Sequence, residues 1–153
     1  MAFTLQELSD REEIRDLLNS WALAVDVRDY DLFESCYTDD AKIDFKEIGF
    51  QGSTGRGHRE FLEKSAPLFG PMHHVLSNTI FRELAATKAR TSTMVSAATV
   101  TLEDLVFFTG AWYHDELRKT AQGWRICHRR AERIYLHNFP GTFVPENAPG
   151  NKL

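Results

Sequence analysis

Between Ile14 and Val25 the apolar residues Ile14, Leu17, Leu18, Trp21, Ala22 and Val25 recur at intervals of three and four, which makes one stripe along a helix. Upstream, Thr4-Leu5-Gln6-Glu7 and Ser9-Asp10-Arg11-Glu12 form overlapping capping boxes, either of which satisfies free amides at a helix start. Asp26 follows the stripe at once and falls on its flank near the helix end, open to a cavity or to water. A shorter helix is expected from Asp29 as N-cap through Leu32, Phe33 and Cys36. Ala41 to Phe45 reads as extended, the glycine-rich stretch Gly49 to Gly57 as turns, and His58 to Phe69 as a third helix stopped near Pro67 or Gly70-Pro71.

From Met72 the pattern changes. His73 to Leu84, Ala89 to Val100, Leu105 to Leu117 and Trp124 to Leu136 are rich in β-branched and aromatic residues and are separated by short polar or small-residue breaks. Helices first and a meander of strands afterwards define an α+β chain. The 153 residues show no internal repeat and no low-complexity linker, so a single domain over 1–153 is expected, with 138–153 an extended tail because Pro140, Pro145 and Pro149 exclude regular helix.

Composition narrows the function classes. An apolar fraction of 42% and a charged fraction of 26% describe an ordinary globular chain. The net charge of -4, without any Lys/Arg-rich run, argues against a nucleic-acid partner. No apolar run is long enough to span a bilayer, and the first residues lack a basic stretch followed by an apolar one, so no membrane association and a cytoplasmic location are expected. The two cysteines, Cys36 and Cys127, form no CxxC pair and suit packed thiols in a reducing compartment. The Gly49–Gly57 segment matches neither G-x-G-x-x-G nor a P-loop.

The stretch Pro71-Met72-His73-His74-Val75-Leu76-Ser77-Asn78 places two histidines side by side at the entry to a strand. Successive strand residues point to opposite faces, so only one of them enters the interior. None of the six histidines has the i, i+4 spacing of a helical zinc site or the paired cysteines of a finger, and no metal is expected. Alternation puts Leu76, Asn78 and Ile80 on the His74 face and Val75, Ser77 and Thr79 on the His73 face; neither is decisively polar, so periodicity leaves a structural and a catalytic histidine both open.

Taken together, the segments REEIRDLLNSWALAVDVRDYDLF, CYTDDAKIDF, PMHHVLSNTIF and GWRICHRRAER resemble the SnoaL-like branch of the nuclear transport factor 2-like superfamily, in the group with scytalone dehydratase and hexachlorocyclohexane dehydrochlorinase. The resemblance spans nearly the whole chain. It implies a cone, a strongly bent sheet wrapped around the N-terminal helices with a deep pocket between them. It also implies that an aspartate ending the first helix meets a histidine early on the strand after the third helix; the AVD and H-V-L-S-N-T registers assign these to Asp26 and His74. In the related enzymes that pair removes a carbon-bound proton while a hydroxyl or halide leaves, without a cofactor. The resemblance therefore points to a cofactor-free lyase acting on a small, largely apolar cyclic substrate. Neighbouring possibilities are an isomerase, a polyketide-type cyclase or a non-catalytic binding module of the same fold. A homo-oligomer, trimer or dimer, is implied.

The chain departs from those relatives in places. Val25 and Phe45 stand where the dehydratase carries tyrosines, small residues near Ala97 and Ala98 where it has a second histidine, and Trp21 where the dehydrochlorinase has a lysine. Arg129 falls where that family places a basic residue on the last strand, as a candidate for stabilising a departing anion or, equally, a solvated charge. Trp21, Phe45, Trp112 and Tyr113 are candidates for the pocket wall or for plain core; Asn78 and Tyr113 would bring polar handles.

Overall fold

The chain folds around one helical stripe and one sheet. The structure is a computed structural model and describes residues 2–50 and 52–139. Helix α1 spans Leu5–Val27. Of the two possible caps the first is used: Thr4 Oγ1 accepts the Glu7 N–H at 3.1 Å, while Glu7 Oε2 accepts the Thr4 N–H at 2.7 Å. Such a box contributes about 1 kcal/mol. Ile14, Leu18, Trp21, Ala22 and Val25 of the stripe are buried. Helix α2 (Tyr30–Ser35) starts from Asp29, whose carboxylate accepts the Leu32 N–H at 3.0 Å.

Strand β1 (Tyr37–Asp44) and the two-residue β2 (Ser53–Thr54) precede α3, which runs over Gly55–Ser65 rather than from His58. Thr54 explains the earlier start, because its hydroxyl accepts the Gly57 N–H at 3.1 Å and caps a first turn written in glycine and arginine. The long strands are β3 (Phe69–Leu84), β4 (Lys88–Thr101), β5 (Val106–Thr120) and β6 (Gly123–His137). Among the described residues the sheet has the order β2-β1-β6-β5-β4-β3; β1 runs parallel to β6, and every other neighbouring pair is antiparallel. Only Asn138 and Phe139 of the tail expected from residue 138 are described, and 140–153 lie outside the described residues.

The helices pack on one face of this bent sheet. Ile14, Leu18 and Trp21 meet Ile43, Val95, Ala111, Leu117 and Ile126 in one buried cluster. Each such large apolar side chain contributes roughly 1.5–3 kcal/mol on leaving water. Two polar ties fix how α1 lies across the sheet. Near its start, buried Asp10 accepts hydrogen bonds from Lys119 Nζ at 2.5 Å and Trp124 Nε1 at 3.0 Å. At its end, Arg28 adopts a left-handed conformation (φ 60°), and its guanidinium reaches the carbonyls of Phe69 and Gly70 at 2.6 and 3.1 Å. The last turn of α1 is thereby held against the entry of β3, which brings Asp26 beside His74.

Strand β3 does not keep a strict alternation. Its pairing with β4 shifts between Ser77 and Ile80, and Asn78 within that shift has φ 50°. The irregularity exchanges the two faces: Met72, His74 and Leu76 point inward before it, Thr79 and Phe81 after it, and Asn78 and Ile80 are left exposed. No helix among the described residues is long and apolar enough to cross a membrane.

Candidate active site

Across the inner face of the sheet, His74 pairs with Ala97 and Ala97 with Thr109, while Met72 pairs with Thr99 and Thr99 with Phe107. These two rows form one wall of a cavity. The opposite wall comes from Trp21 and Val25 of α1, from Arg28 that caps its end, and from His58, Phe61, Leu62 and Ser65 of α3; Phe45, Ile48, Phe50 and Tyr113 also line the cavity. Phe139 packs on the wall residues Phe50 and Phe107, with ring centroids 6.4 and 4.9 Å away.

Within this apolar lining the Asp26 carboxylate grips one residue twice. Oδ1 lies 2.6 Å from His74 Nδ1, and Oδ2 accepts the His74 backbone N–H at 2.9 Å. Both oxygens are thus committed, and the ring is fixed with Nδ1 as the protonated nitrogen facing the carboxylate. Nε2 has no hydrogen-bond partner among the described residues, and the ring forms part of the cavity wall. Asp26 does not line the cavity itself but stands behind the histidine. The Trp21 ring meets the His74 ring edge-on at 5.6 Å and buttresses its other side. His73, its neighbour, faces outward and is exposed.

Of the remaining residues singled out from the sequence, Trp21, Phe45 and Tyr113 line the cavity, and Asn78, Trp112 and Arg129 do not. Tyr113 stacks on Phe45 at 5.2 Å and meets Trp21 edge-on at 5.4 Å. Burial pushes its phenol up, so it remains protonated. Trp112 follows the alternation of β5 and turns to the opposite face from Tyr113. Asn78 is carried outward by the irregularity of β3, where its amide approaches Met94 Sδ at 3.9 Å.

Arg129 is neither a solvated charge nor a cavity residue. It is fully buried and faces Asp115 directly across β5 and β6, with Nε–Oδ1 at 2.6 Å and Nη2–Oδ2 at 2.8 Å. Its guanidinium lies 4.4 Å from the Trp21 ring centre and 4.7 Å from that of Tyr113, so it supports two wall residues from behind. Burial alone would lower its pKa, but the attraction of Asp115 outweighs that and holds it above the ordinary value.

Sequence reasoning missed His58, Arg28, Met72, Thr99 and Thr109. The signal for His58 was present in the spacing of His58, Phe61, Leu62 and Ser65, which is i, i+3, i+4, i+7 on one face of α3. Thr99 and Thr109 become visible only through strand register. Among the described residues, no three or more His, Cys, Asp and Glu side chains converge where a metal ion could be held. Cys36 and Cys127 are free thiols, and burial pushes Cys36 up to about 11.

A helix-filled bent sheet with an Asp–His pair in the wall of an apolar cavity defines a nuclear transport factor 2-like protein with a candidate acid–base site. The chain belongs to the SnoaL-like domain family, whose model matches residues 6–130. An uncharacterized protein of Mycobacterium tuberculosis is 33% identical over 136 residues, which cover 82% of this chain and 86% of that protein. Among solved structures, a candidate scytalone dehydratase from Novosphingobium aromaticivorans superposes with a TM-score of 0.81 at 18% identity, covering 95% of this chain and 96% of its own. A hexachlorocyclohexane dehydrochlorinase from Novosphingobium barchaimii gives a TM-score of 0.78 at 21% identity, covering 92% and 98%. At these identities the last two likenesses are of fold.

Proposed function

We propose that this protein is a cofactor-free lyase that takes a carbon-bound proton from a small, largely apolar cyclic substrate, with His74 as general base and Asp26 as its orienting carboxylate. One observation carries the reading: Asp26 Oδ1 sits 2.6 Å from Nδ1 of a His74 ring that lines an apolar cavity. Held in this tautomer, the neutral ring presents a lone pair to the cavity, and the carboxylate stabilises the imidazolium once the proton arrives. The electron pair of the broken C–H bond enters a new double bond. A halide then leaves as the anion, or a hydroxyl leaves as water after taking a proton from the imidazolium or solvent. The apolar walls select the body of the substrate. Fold likeness to the dehydratase and the dehydrochlorinase supports elimination over other outcomes of the same proton abstraction.

The test is whether the protein accelerates exchange of the activated ring protons of 2-tetralone into deuterated buffer, followed by proton NMR, and eliminates water from 3-hydroxy-1-indanone. Both are expected above the buffer rate. Exchange without elimination would favour an isomerase or cyclase, and neither reaction would leave a binding module.

A further inference from the structure

We propose that His58 is the second polar recognition point of the cavity and binds an uncharged carbonyl oxygen of the substrate; the inference rests on the small-molecule reading of the same cavity.

His58 is 4% exposed and lies on the inner face of α3. Its ring is enclosed by aromatic rings, stacked on Phe33 at 5.7 Å, edge-on to Phe45 at 5.1 Å and tilted against Phe61 at 5.7 Å. A histidine so deeply placed ordinarily hydrogen-bonds a carbonyl, a hydroxyl or a carboxylate, because an unsatisfied buried polar group is costly. Neither ring nitrogen of His58 has such a partner among the described residues. Nor is either one among the side-chain polar atoms that are both closed off from solvent and without a hydrogen-bond partner. The ring is a wall residue of the cavity, so the cavity is where its nitrogens find a partner.

The surroundings select the kind of partner. Burial, reinforced by the charge of Arg129, lowers the His58 pKa to about 4, so the ring is neutral at physiological pH and offers one N–H donor and one acceptor nitrogen. A neutral donor in an aromatic enclosure suits an uncharged oxygen and gives little compensation for burying a carboxylate. A carbonyl is also the group that activates a neighbouring C–H bond toward a base such as His74. The two histidines are linked through the wall by the rings of Trp21 and Phe45, Trp21 touching His74 at 5.6 Å and Phe45 at 6.4 Å. A ligand in the cavity therefore has its apolar body against those rings and a polar contact on each side of them. His58 is too weak a base to share the role of His74.

The experiment compares two probes of matched shape, acetophenone and α-methylstyrene, which differ in having C=O or C=CH2. Affinities are measured by tryptophan fluorescence and calorimetry for the native protein and the variants His58→Phe, His58→Gln and His74→Ala. Acetophenone is expected to bind the native protein at least tenfold more tightly. The preference should disappear in His58→Phe and return in part in His58→Gln, whereas His74→Ala, which also alters the wall, should weaken both probes without erasing it. On the native protein alone, acetophenone should shift the His58 ring nitrogen resonances and α-methylstyrene should not, a readout that needs no folded variant. A preference that survives His58→Phe, or equal binding of both probes with no His58 shift, overturns the assignment while leaving the cavity reading intact. Failure of both probes to bind the native protein overturns the cavity reading and the assignment with it.

Discussion

Among the described residues, three histidines on strands of the same sheet lie within ion-pair range of a carboxylate, His74, His114 and, at 4.0 Å from Glu116, His128; the first two differ in what surrounds them. On the inner face, His74 gives Nδ1 to Asp26 and its ring lines a cavity, with Nε2 unpartnered among the described residues and side-chain exposures of 12% and 18%. On the outer face, His114 has both nitrogens engaged, Nδ1 with Ser92 Oγ at 3.0 Å and Nε2 with Glu132 at 3.1 Å. Glu132 is half exposed and shared with Arg130 at 2.9 Å, and first that guanidinium, then His114, lowers its pKa. Ser92, the residue across the strand, is buried and also receives a hydrogen bond from Arg82 Nε at 3.3 Å. The outer row has the residue types of a catalytic triad and borders a cleft of its own, yet both ring nitrogens of His114 are already engaged. A histidine–carboxylate pair becomes a base only where the second nitrogen opens onto a space a substrate can occupy.

The largest way to separate the two couples is to remove one carboxylate at a time. Asp26→Asn should cost about 10²–10⁴-fold in the rate of proton abstraction. Nitrogen NMR should show His74 losing its single tautomer in this variant. Glu132→Gln should change that rate less than about twofold, since screening and exposure leave surface pairs worth little.

The next effect is on stability and belongs to the ion pair Asp115–Arg129, buried beneath the cavity wall. Removing one partner leaves the other charge buried alone, so Arg129→Leu should cost about 3–5 kcal/mol in denaturant unfolding. It should also loosen Trp21 and Tyr113, which rest on the guanidinium. Glu132→Ala, by contrast, should cost no more than about 1 kcal/mol.

His58 supplies a pH dependence whose direction is fixed by its lowered pKa. The unfolded chain takes up a proton near pH 6.5 and the folded one only near 4, so stability is complete above about 6.5 and is lost as the pH falls toward 4. The loss is of the order of 3 kcal/mol, and melting curves of His58→Phe over the same range should be flatter. The smallest expected change is at the cap of α1, where Thr4→Ala should cost about 1 kcal/mol in thermal unfolding.

Much of this arrangement was legible in the sequence where local rules act alone. The α1 stripe, the Asp29 cap and the four long strands follow from spacing and residue type; Asp26 and His74 were singled out only through the family resemblance of the AVD and H-V-L-S-N-T segments, since periodicity left the histidines open. Legibility failed wherever a non-local or backbone event decided the outcome. Asn78 shared a face with His74 by strict alternation, but the irregularity at φ 50° reverses the faces after Ser77. Trp112 and Tyr113 are adjacent on one strand and so could not both point inward. Arg129 could be placed only by knowing that Asp115 pairs with it across β5 and β6. The earlier start of α3 depended on Thr54 capping a glycine-rich turn that composition alone describes as loop.

The most direct test is the exchange rate of 2-tetralone ring protons in deuterated buffer, measured side by side for the native protein, His74→Ala and His114→Ala. Exchange is expected well above buffer in the native protein and in His114→Ala, and at the buffer rate in His74→Ala. Equal rates in native protein and His74→Ala would contradict His74 as the general base.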